Sequence, residues 1–153
     1  MNCDKTDLKI IKQLQADARI SNLELAHSIN LSPTPCARRV KQLESNGTIA
    51  GYHAAINPEL VGLNLTVMVS VTMDKHTADK FEKFEEAVLA LPEVVECYVV
   101  TGQDSDFLIK VLARDMRHYE DFLLRRLTKI EGVNGVHSSF VLRQPINKHQ
   151  LPL

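Results

Sequence analysis

The sequence predicts an α+β chain built as a three-helix head followed by a βαββαβ unit. Three observations carry that reading. Helical periodicity, punctuated by capping residues, runs from Asp4 to a stop at Asn46-Gly47. From Leu65 the pattern changes to period-two alternation and continues as strand, helix, strand, strand, helix, strand. The charge also divides: the chain is near neutral, with 18 Lys+Arg against 19 Asp+Glu, yet residues 1–50 hold seven basic and five acidic residues and residues 51–153 hold eleven and fourteen. A length of 153 residues suits two modules of about 50 and 80–90 residues, each burying a modest core.

The first helix is read over Asp4 to Ala18, with Leu8, Ile11, Leu14 and Ala18 as its apolar stripe. Ser21-Asn22-Leu23-Glu24 forms a capping box, in which the Ser hydroxyl accepts a free backbone N–H and the Glu reaches back to the Ser N–H, so a short second helix starts at about Ser21. It buries Leu25, Ala26 and Ile29 before Asn30-Leu31-Ser32-Pro33 interrupts. Ser32 suits an N-cap, and Pro33 suits the first helical position, where its missing N–H costs nothing. The third helix then runs to Asn46-Gly47. Three short helices with a tight break between the second and third are the layout of a helix-turn-helix.

At about 100° per residue, Cys36, Val40 and Leu43 of the third helix share one stripe. Thr34, Arg38, Lys41, Gln42 and Ser45 share the opposite one, with Pro35 and Arg39 at the margins. No acidic residue lies between Asn30 and Leu43. One face packs while the other presents cations and amides, which suits phosphates, guanine edges and adenine edges. The plain alternative is a solvated basic face; the position of the helix, third in a capped tri-helical head, favours DNA.

Ile49 to Ile56 reads as a short strand-like segment, and residues 51–62 as a linker strand that passes through Asn57-Pro58 and Gly62. Leu65 to Met73 is a strand with Val67, Val69 and Val71 on its buried side. Phe81, Phe84, Val88 and Leu91 mark a helix over 77–91, ended by Pro92. Val94 to Thr101 is a second strand, Gly102 to Ser105 a turn, and Phe107 to Ala113 a third strand. Met116, Tyr119, Leu123, Leu127 and Ile130 mark another helix, and Val136 to Leu142 the last strand. This element order is that of a ferredoxin-like fold with helices on one face of an antiparallel sheet. The other face, where Met68 adds apolar surface, needs a cover, so an obligate dimer with stacked sheets is expected. The domain reading is 1–50 for the head, 51–62 for the linker and 63–153 for the sheet unit.

Composition narrows the function. The apolar runs are a few residues long, against roughly 20 for a membrane span. The opening Met1-Asn2-Cys3-Asp4-Lys5 has no basic region followed by an apolar one, so the cytoplasm is the expected compartment. Cys3, Cys36 and Cys97 form no C-x-x-C pair, which points to reduced thiols; Cys36 reads as a packed core thiol. The six His, at 27, 53, 76, 118, 137 and 149, make no metal-ligand array, and no phosphate-binding glycine motif occurs, so neither metal nor cofactor is expected.

With these residues assembled, the chain resembles the leucine-responsive regulatory protein/AsnC (Lrp/AsnC) family of transcription regulators over nearly its whole length. Asp7-Leu8-Lys9-Ile10-Ile11 and Asp17 to Ala26 look like the family's first two helices. Leu31-Ser32-Pro33-Thr34-Pro35-Cys36 through Glu44 looks like its recognition helix. Val99-Val100-Thr101-Gly102 followed by Asp106-Phe107-Leu108 looks like the effector loop of its C-terminal domain. One departure is visible: the family places two residues between Gly and Asp, whereas here three separate Gly102 from Asp106, a loop one residue longer.

The resemblance implies a winged-type helix-turn-helix joined to a βαββαβ dimerisation and effector domain, and a cytoplasmic, nucleoid-associated regulator of amino-acid metabolism or transport genes. Such proteins form homodimers that assemble further, often to octamers, and take a small amino acid between C-terminal domains. Carried over residue by residue, double-stranded DNA would meet Ser21, Asn22, Ser32, Thr34, Arg38, Arg39, Lys41 and Gln42. The effector would meet Thr101, Gly102, Gln103, Asp104 and Asp106, with Ser138 as a weaker addition. Loop chemistry agrees: Gly102 permits close backbone approach or positive φ, loop N–H groups accept a carboxylate, and Asp104 or Asp106 can meet an ammonium. The competing reading of 102–106 is a plain hairpin turn. Haem-pathway decarboxylases resemble the same two-part architecture, but no His/Arg constellation for propionates is evident here. Two other rivals are an effector-independent DNA-organising protein and a ligand-binding module with a vestigial DNA head.

Overall fold

Asp4 opens the first helix by accepting the backbone N–H groups of Thr6 and Asp7 on its carboxylate while Asp7 reaches back to the Asp4 N–H, a reciprocal cap. Helix α1 follows as Lys5–Ala16, α2 as Asn22–Ser28 behind the predicted Ser21–Glu24 box, and α3 as Pro33–Ser45. These come from a computed structural model that describes residues 3–102 and 105–153. Asn30, at φ 58°, takes the left-handed conformation in the α2–α3 turn, a conformation Asn tolerates better than most residues. Gly47, at φ 76°, does the same just past α3.

The head buries Ile10, Leu25, Ala26, Ile29, Cys36 and Leu43, with Leu14, Val40 and Ile49 packed around them. The α2 and α3 stripes are those expected. The α1 stripe differs: Ile10 is fully buried, Leu8 is exposed, and Ala18 lies past the helix end on the surface. The inward stripe of α1 is centred on Ile10, with Ile11 and Leu14 packed beside it. The segment expected to be strand-like at Ile49–Ile56 carries no strand; Glu59–Val61 instead forms a single 3₁₀ turn ended by Gly62 at φ 82°. A strand exists only against a hydrogen-bonded neighbour, and this stretch has none among the described residues.

Two units are delimited. One joins the chain up to Ala55 with Pro145–Leu153; the other is Ile56–Gln144. The last nine residues thus make their contacts within the first of these units. There Gln150 donates its amide to the Gln15 carbonyl at 3.1 Å, and the Leu151 N–H meets Gln15 Oε1 at 2.6 Å.

In the second unit β1 (Leu65–Met73), α4 (Ala78–Leu89), β2 (Val94–Val99), β3 (Phe107–Ala113), α5 (Met116–Arg125) and β4 (Val133–Phe140) follow the predicted order. Strand order is β2-β3-β1-β4, all antiparallel, the arrangement of a ferredoxin-like sheet. The α5 region is shorter than expected, since a 3₁₀ turn at Leu127–Lys129 takes over, and β4 begins three residues before Val136. Gly132, at φ 93°, makes the change of direction; a Cβ there would stand 2.9 Å from the Met73 methyl.

Val67, Val69 and Val71 pair through the register with Val111, Ile109 and Phe107, and all six are fully buried with Phe84 and Phe122. Phe107 lies between Phe81 and Phe84, with centroids at 4.8 and 4.4 Å. The opposite sheet face sets Met68, Leu108 and Leu112 beside a polar pair, Lys110 Nζ donating to Glu96 at 2.9 Å, with the Tyr98 hydroxyl on the same carboxylate at 2.7 Å. No helix of the described residues is long and apolar enough to cross a membrane.

Candidate functional site

On α3 the predicted division of faces holds at the level of burial. Ser32, Thr34, Arg38, Lys41, Gln42 and Ser45 are exposed, and Cys36 and Leu43 are sealed into the head. Burial pushes the Cys36 thiol up, away from the reactive range, as its reading as a core thiol requires. Ser32 stands at the N-cap without a side-chain cap bond. Pro35, at the third helical position, removes one of the N–H groups such a bond would satisfy.

The two neighbouring arginines are in different situations. Arg38 is exposed, whereas Arg39 is only 33% exposed and its Nη1 is bound by Asp4 at 2.7 Å and Asp7 at 2.8 Å. Those carboxylates raise the Arg39 guanidinium pKa further. The Asp7 N–H, and then Arg39, hold the Asp4 carboxyl below the usual carboxylate range. Asn22 is similarly engaged: its amide donates to the Pro33 carbonyl at 2.9 Å, tying the start of α2 to the start of α3. Ser21 spends its hydroxyl on Glu24. Of the eight residues read as DNA contacts, Ser21, Asn22 and Arg39 are thus engaged in bonds that build the head.

Among the effector candidates, Thr101 and Gly102 are exposed, while Gln103 and Asp104 lie outside the described residues. Gly102 has no positive φ, and a Cβ on it would meet nothing within 4 Å, so nothing within the described chain requires glycine there. Asp106 is a knot in the backbone. Its N–H donates to the Val71 carbonyl and its carbonyl accepts the Val100 N–H, each at 2.9 Å, and its Oδ2 accepts the Met73 N–H at 2.7 Å. Its Oδ1 lies 2.9 Å from His76 Nε2. Ser138 sits opposite Val69 on the helix-covered face, its hydroxyl 2.5 Å from that of Tyr119, whose pKa burial raises.

Two features had no counterpart in the sequence reading. Glu93, 8% exposed, takes Arg126 Nη1 at 2.6 Å and His118 Nε2 at 3.1 Å on one oxygen; the other accepts no hydrogen bond among the described residues. His118 Nδ1 accepts the Arg114 N–H at 3.2 Å, which assigns the ring proton to Nε2. Burial alone would push the Glu93 carboxyl up, but its own backbone N–H, then His118 and Arg126, outweigh it and hold the group below its ordinary range. The second feature is a groove of about 670 Å³ between α4 and β2, lined by Leu89, Val95, Cys97 and Val99 and rimmed by Glu82, Glu85 and Glu86. Its acidic rim disfavours a carboxylate ligand.

A winged helix-turn-helix DNA-binding module matches residues 4–50, and the Lrp/AsnC ligand binding domain matches residues 66–151. The chain belongs to the Lrp/AsnC family. The leucine-responsive regulatory protein of Haemophilus influenzae is 42% identical over 92% of this chain and 84% of its own. A transcriptional regulator of Neisseria meningitidis, solved as an L-Met complex, superposes with a TM-score of 0.92 at 39% identity, covering 99% of this chain and 97% of that one. An AsnC family transcriptional regulator from Agrobacterium tumefaciens gives 0.91 at 36%, covering 98% and 97%. This Lrp/AsnC chain is therefore a transcription regulator and not an enzyme, which removes the decarboxylase alternative. Its two matched modules correspond to the head and the sheet unit.

Proposed function

We propose that this Lrp/AsnC regulator reads double-stranded DNA through Thr34, Arg38, Lys41 and Gln42 and is modulated by a small amino acid bound beside Thr101 and Gly102. The observation that carries the first half is the acid-free, exposed face of α3 set over a sealed core. Arg38 and Lys41 supply phosphate or guanine contacts, and Gln42 an adenine contact. Arg39, Ser21 and Asn22 hold the head in shape, so they act on DNA through geometry.

The second half is supported by the ligand binding domain and by the similar N. meningitidis regulator in complex with L-Met. Asp106 is already committed to Met73 and His76, so in this reading it shapes the effector loop and leaves the ammonium to another group. Ser138 serves the core with Tyr119. The half-apolar outer sheet face is covered by a second copy, and copies assemble further. Ligand bound between sheet units alters the spacing of paired heads and hence DNA affinity; the target genes are those of amino-acid metabolism or transport.

Thermal-shift titration with the twenty amino acids, L-methionine and L-leucine first, tests the effector. The expected result is a concentration-dependent rise in Tm with at least one of them, reaching the stabilisation of about 2.7 kcal/mol that a ligand gives at a hundred times its Kd. A flat response to all twenty would remove the effector and leave a DNA-organising protein.

A further inference from the structure

We propose that the head carries a second DNA surface, made by Lys5, Lys9 and Lys12 of α1 with Lys148 of the C-terminal tail. It takes the phosphate backbone of a duplex segment other than the one under α3, and so rests on the DNA reading above. The three α1 lysines follow one another at steps of four and three residues, which stacks them on one helix face, and all three are exposed. At about 100° per residue that face lies opposite the packed stripe of Ile10, Ile11 and Leu14. Gln15, about one turn past Lys12, accepts the Gln150 amide on its carbonyl at 3.1 Å and the Leu151 N–H on its side-chain oxygen at 2.6 Å. Those bonds bring exposed Lys148 to the same end of α1.

None of these four lysines meets a carboxylate at salt-bridge distance among the described residues. The acids of the head are taken elsewhere. Asp4 and Asp7 hold Arg39, Glu24 accepts from Ser21, Glu44 from the Tyr52 hydroxyl, and Asp17 from the Arg19 N–H. With eight Lys/Arg in this unit, seven of them up to Ala55 and the eighth Lys148, against those five acids, α1 presents bare ammonium charge. The lysines span about 10 Å of helix, and a duplex carries a phosphate for roughly every 1.7 Å of its axis, so each ammonium has one in reach. One straight duplex does not serve both faces. Asp4 and Asp7 mark the side of α1 next to α3, because they bind Arg39, and the lysines lie across the helix from them. On α3, Arg39 flanks the face of Thr34, Arg38, Lys41 and Gln42, so that face turns away from α1. The α1 lysines are then filled by a bent continuation of that DNA or by a separate duplex.

The test compares the wild type with a triple variant, Lys5→Gln, Lys9→Gln and Lys12→Gln, whose exposed glutamines keep the helix and the Tm. Affinity over a salt series is read on a duplex of about 20 bp from the protein's own upstream region and on a fragment of about 150 bp that contains it. On the short duplex the two proteins should give the same slope of log affinity against log salt. On the long fragment the wild-type slope should be steeper, and the triple variant should lose about two to three units of it, at about 0.9 per phosphate contact. Adding Lys148→Gln should remove about one unit more. In a second arm the short duplex is immobilised, loaded with protein and offered a free labelled duplex. Retention that the triple variant loses identifies a separate duplex, and a long-fragment effect without retention identifies a continuation of the same DNA. Equal slopes on the long fragment, with equal retention, overturn the second surface. A loss of slope already present on the short duplex also overturns it, since the lysines would then lie on the DNA that α3 reads. Wild-type binding that ignores salt on both DNAs refutes the DNA reading itself, and the second surface with it.

Discussion

Phe107→Ala should unfold the sheet unit about 3–5 kcal/mol more easily than the wild type, the largest effect expected of any single truncation here. Phe107 is fully buried on the strand next to β1, with Phe81 on one side and Phe84 on the other. Removing its ring takes away the contact partner of both phenylalanines as well as its own buried area. The backbone around it cannot collapse to fill the space, because neighbouring Asp106 is bonded to Val71, Val100 and Met73. For a unit of this size the loss corresponds to a fall in Tm of roughly 15–30 °C. Urea denaturation followed by a probe in the sheet unit checks it. Since Phe107 belongs to the sheet-unit core, the head should keep its own stability.

Glu93→Ala is expected to cost about 2–4 kcal/mol by a different route. The carboxylate carries Arg126 and His118 on a single oxygen, and deleting it leaves the guanidinium with no counter-charge and the His118 N–H with no acceptor. Both partners are part-exposed and recover some hydration, which keeps the cost below that of a fully buried pair. Glu93→Gln retains an acceptor for Arg126 and should cost about 1 kcal/mol. The pair of variants also separates charge from shape. Because the folded-state pKa of Glu93 is depressed, its stabilisation is present above the unfolded carboxylate pKa and is lost as the pH falls through the lowered folded value. Glu96, lowered by Tyr98 and then Lys110, adds to the same slope. Urea midpoints measured from pH 7 down to pH 3 should fall on acidification in the wild type, and fall less in Glu93→Gln.

Much of this architecture is written in local pattern. Capping residues mark the helix starts at Asp4, Ser21 and Ser32, and the Val67, Val69, Val71 alternation marks the buried face of β1. What escaped depends on residues far apart in the chain. Arg38 and Arg39 are indistinguishable by composition; only folding brings Asp4 and Asp7, more than thirty positions away, onto Arg39. Glu93 follows a helix-ending Pro and looks like a surface acid, but a change of register between Val94 and Glu96 accompanies its burial against Arg126. Ser138 was placed at the effector site by family likeness, while the partner it meets, Tyr119, comes from α5 and is brought to it only by folding. The effector loop showed its family likeness in sequence, while Asp106's commitment to Met73 and His76 appears only when β1, its following turn and β3 meet.

The central claim is that Arg38 and Lys41 touch DNA whereas Arg39 braces the head. Fluorescence anisotropy of a DNA fragment from the protein's own upstream region, over a salt series, tests it most directly when wild type, Arg38→Ala, Lys41→Ala and Arg39→Ala are compared together with their Tm values. Arg38→Ala and Lys41→Ala should each flatten the plot of log affinity against log salt by about one unit at unchanged Tm. Arg39→Ala should lower the Tm of the head while leaving the salt slope near the wild-type value. A flattened slope for Arg39→Ala at unchanged Tm, with Arg38→Ala indistinguishable from the wild type, would contradict it.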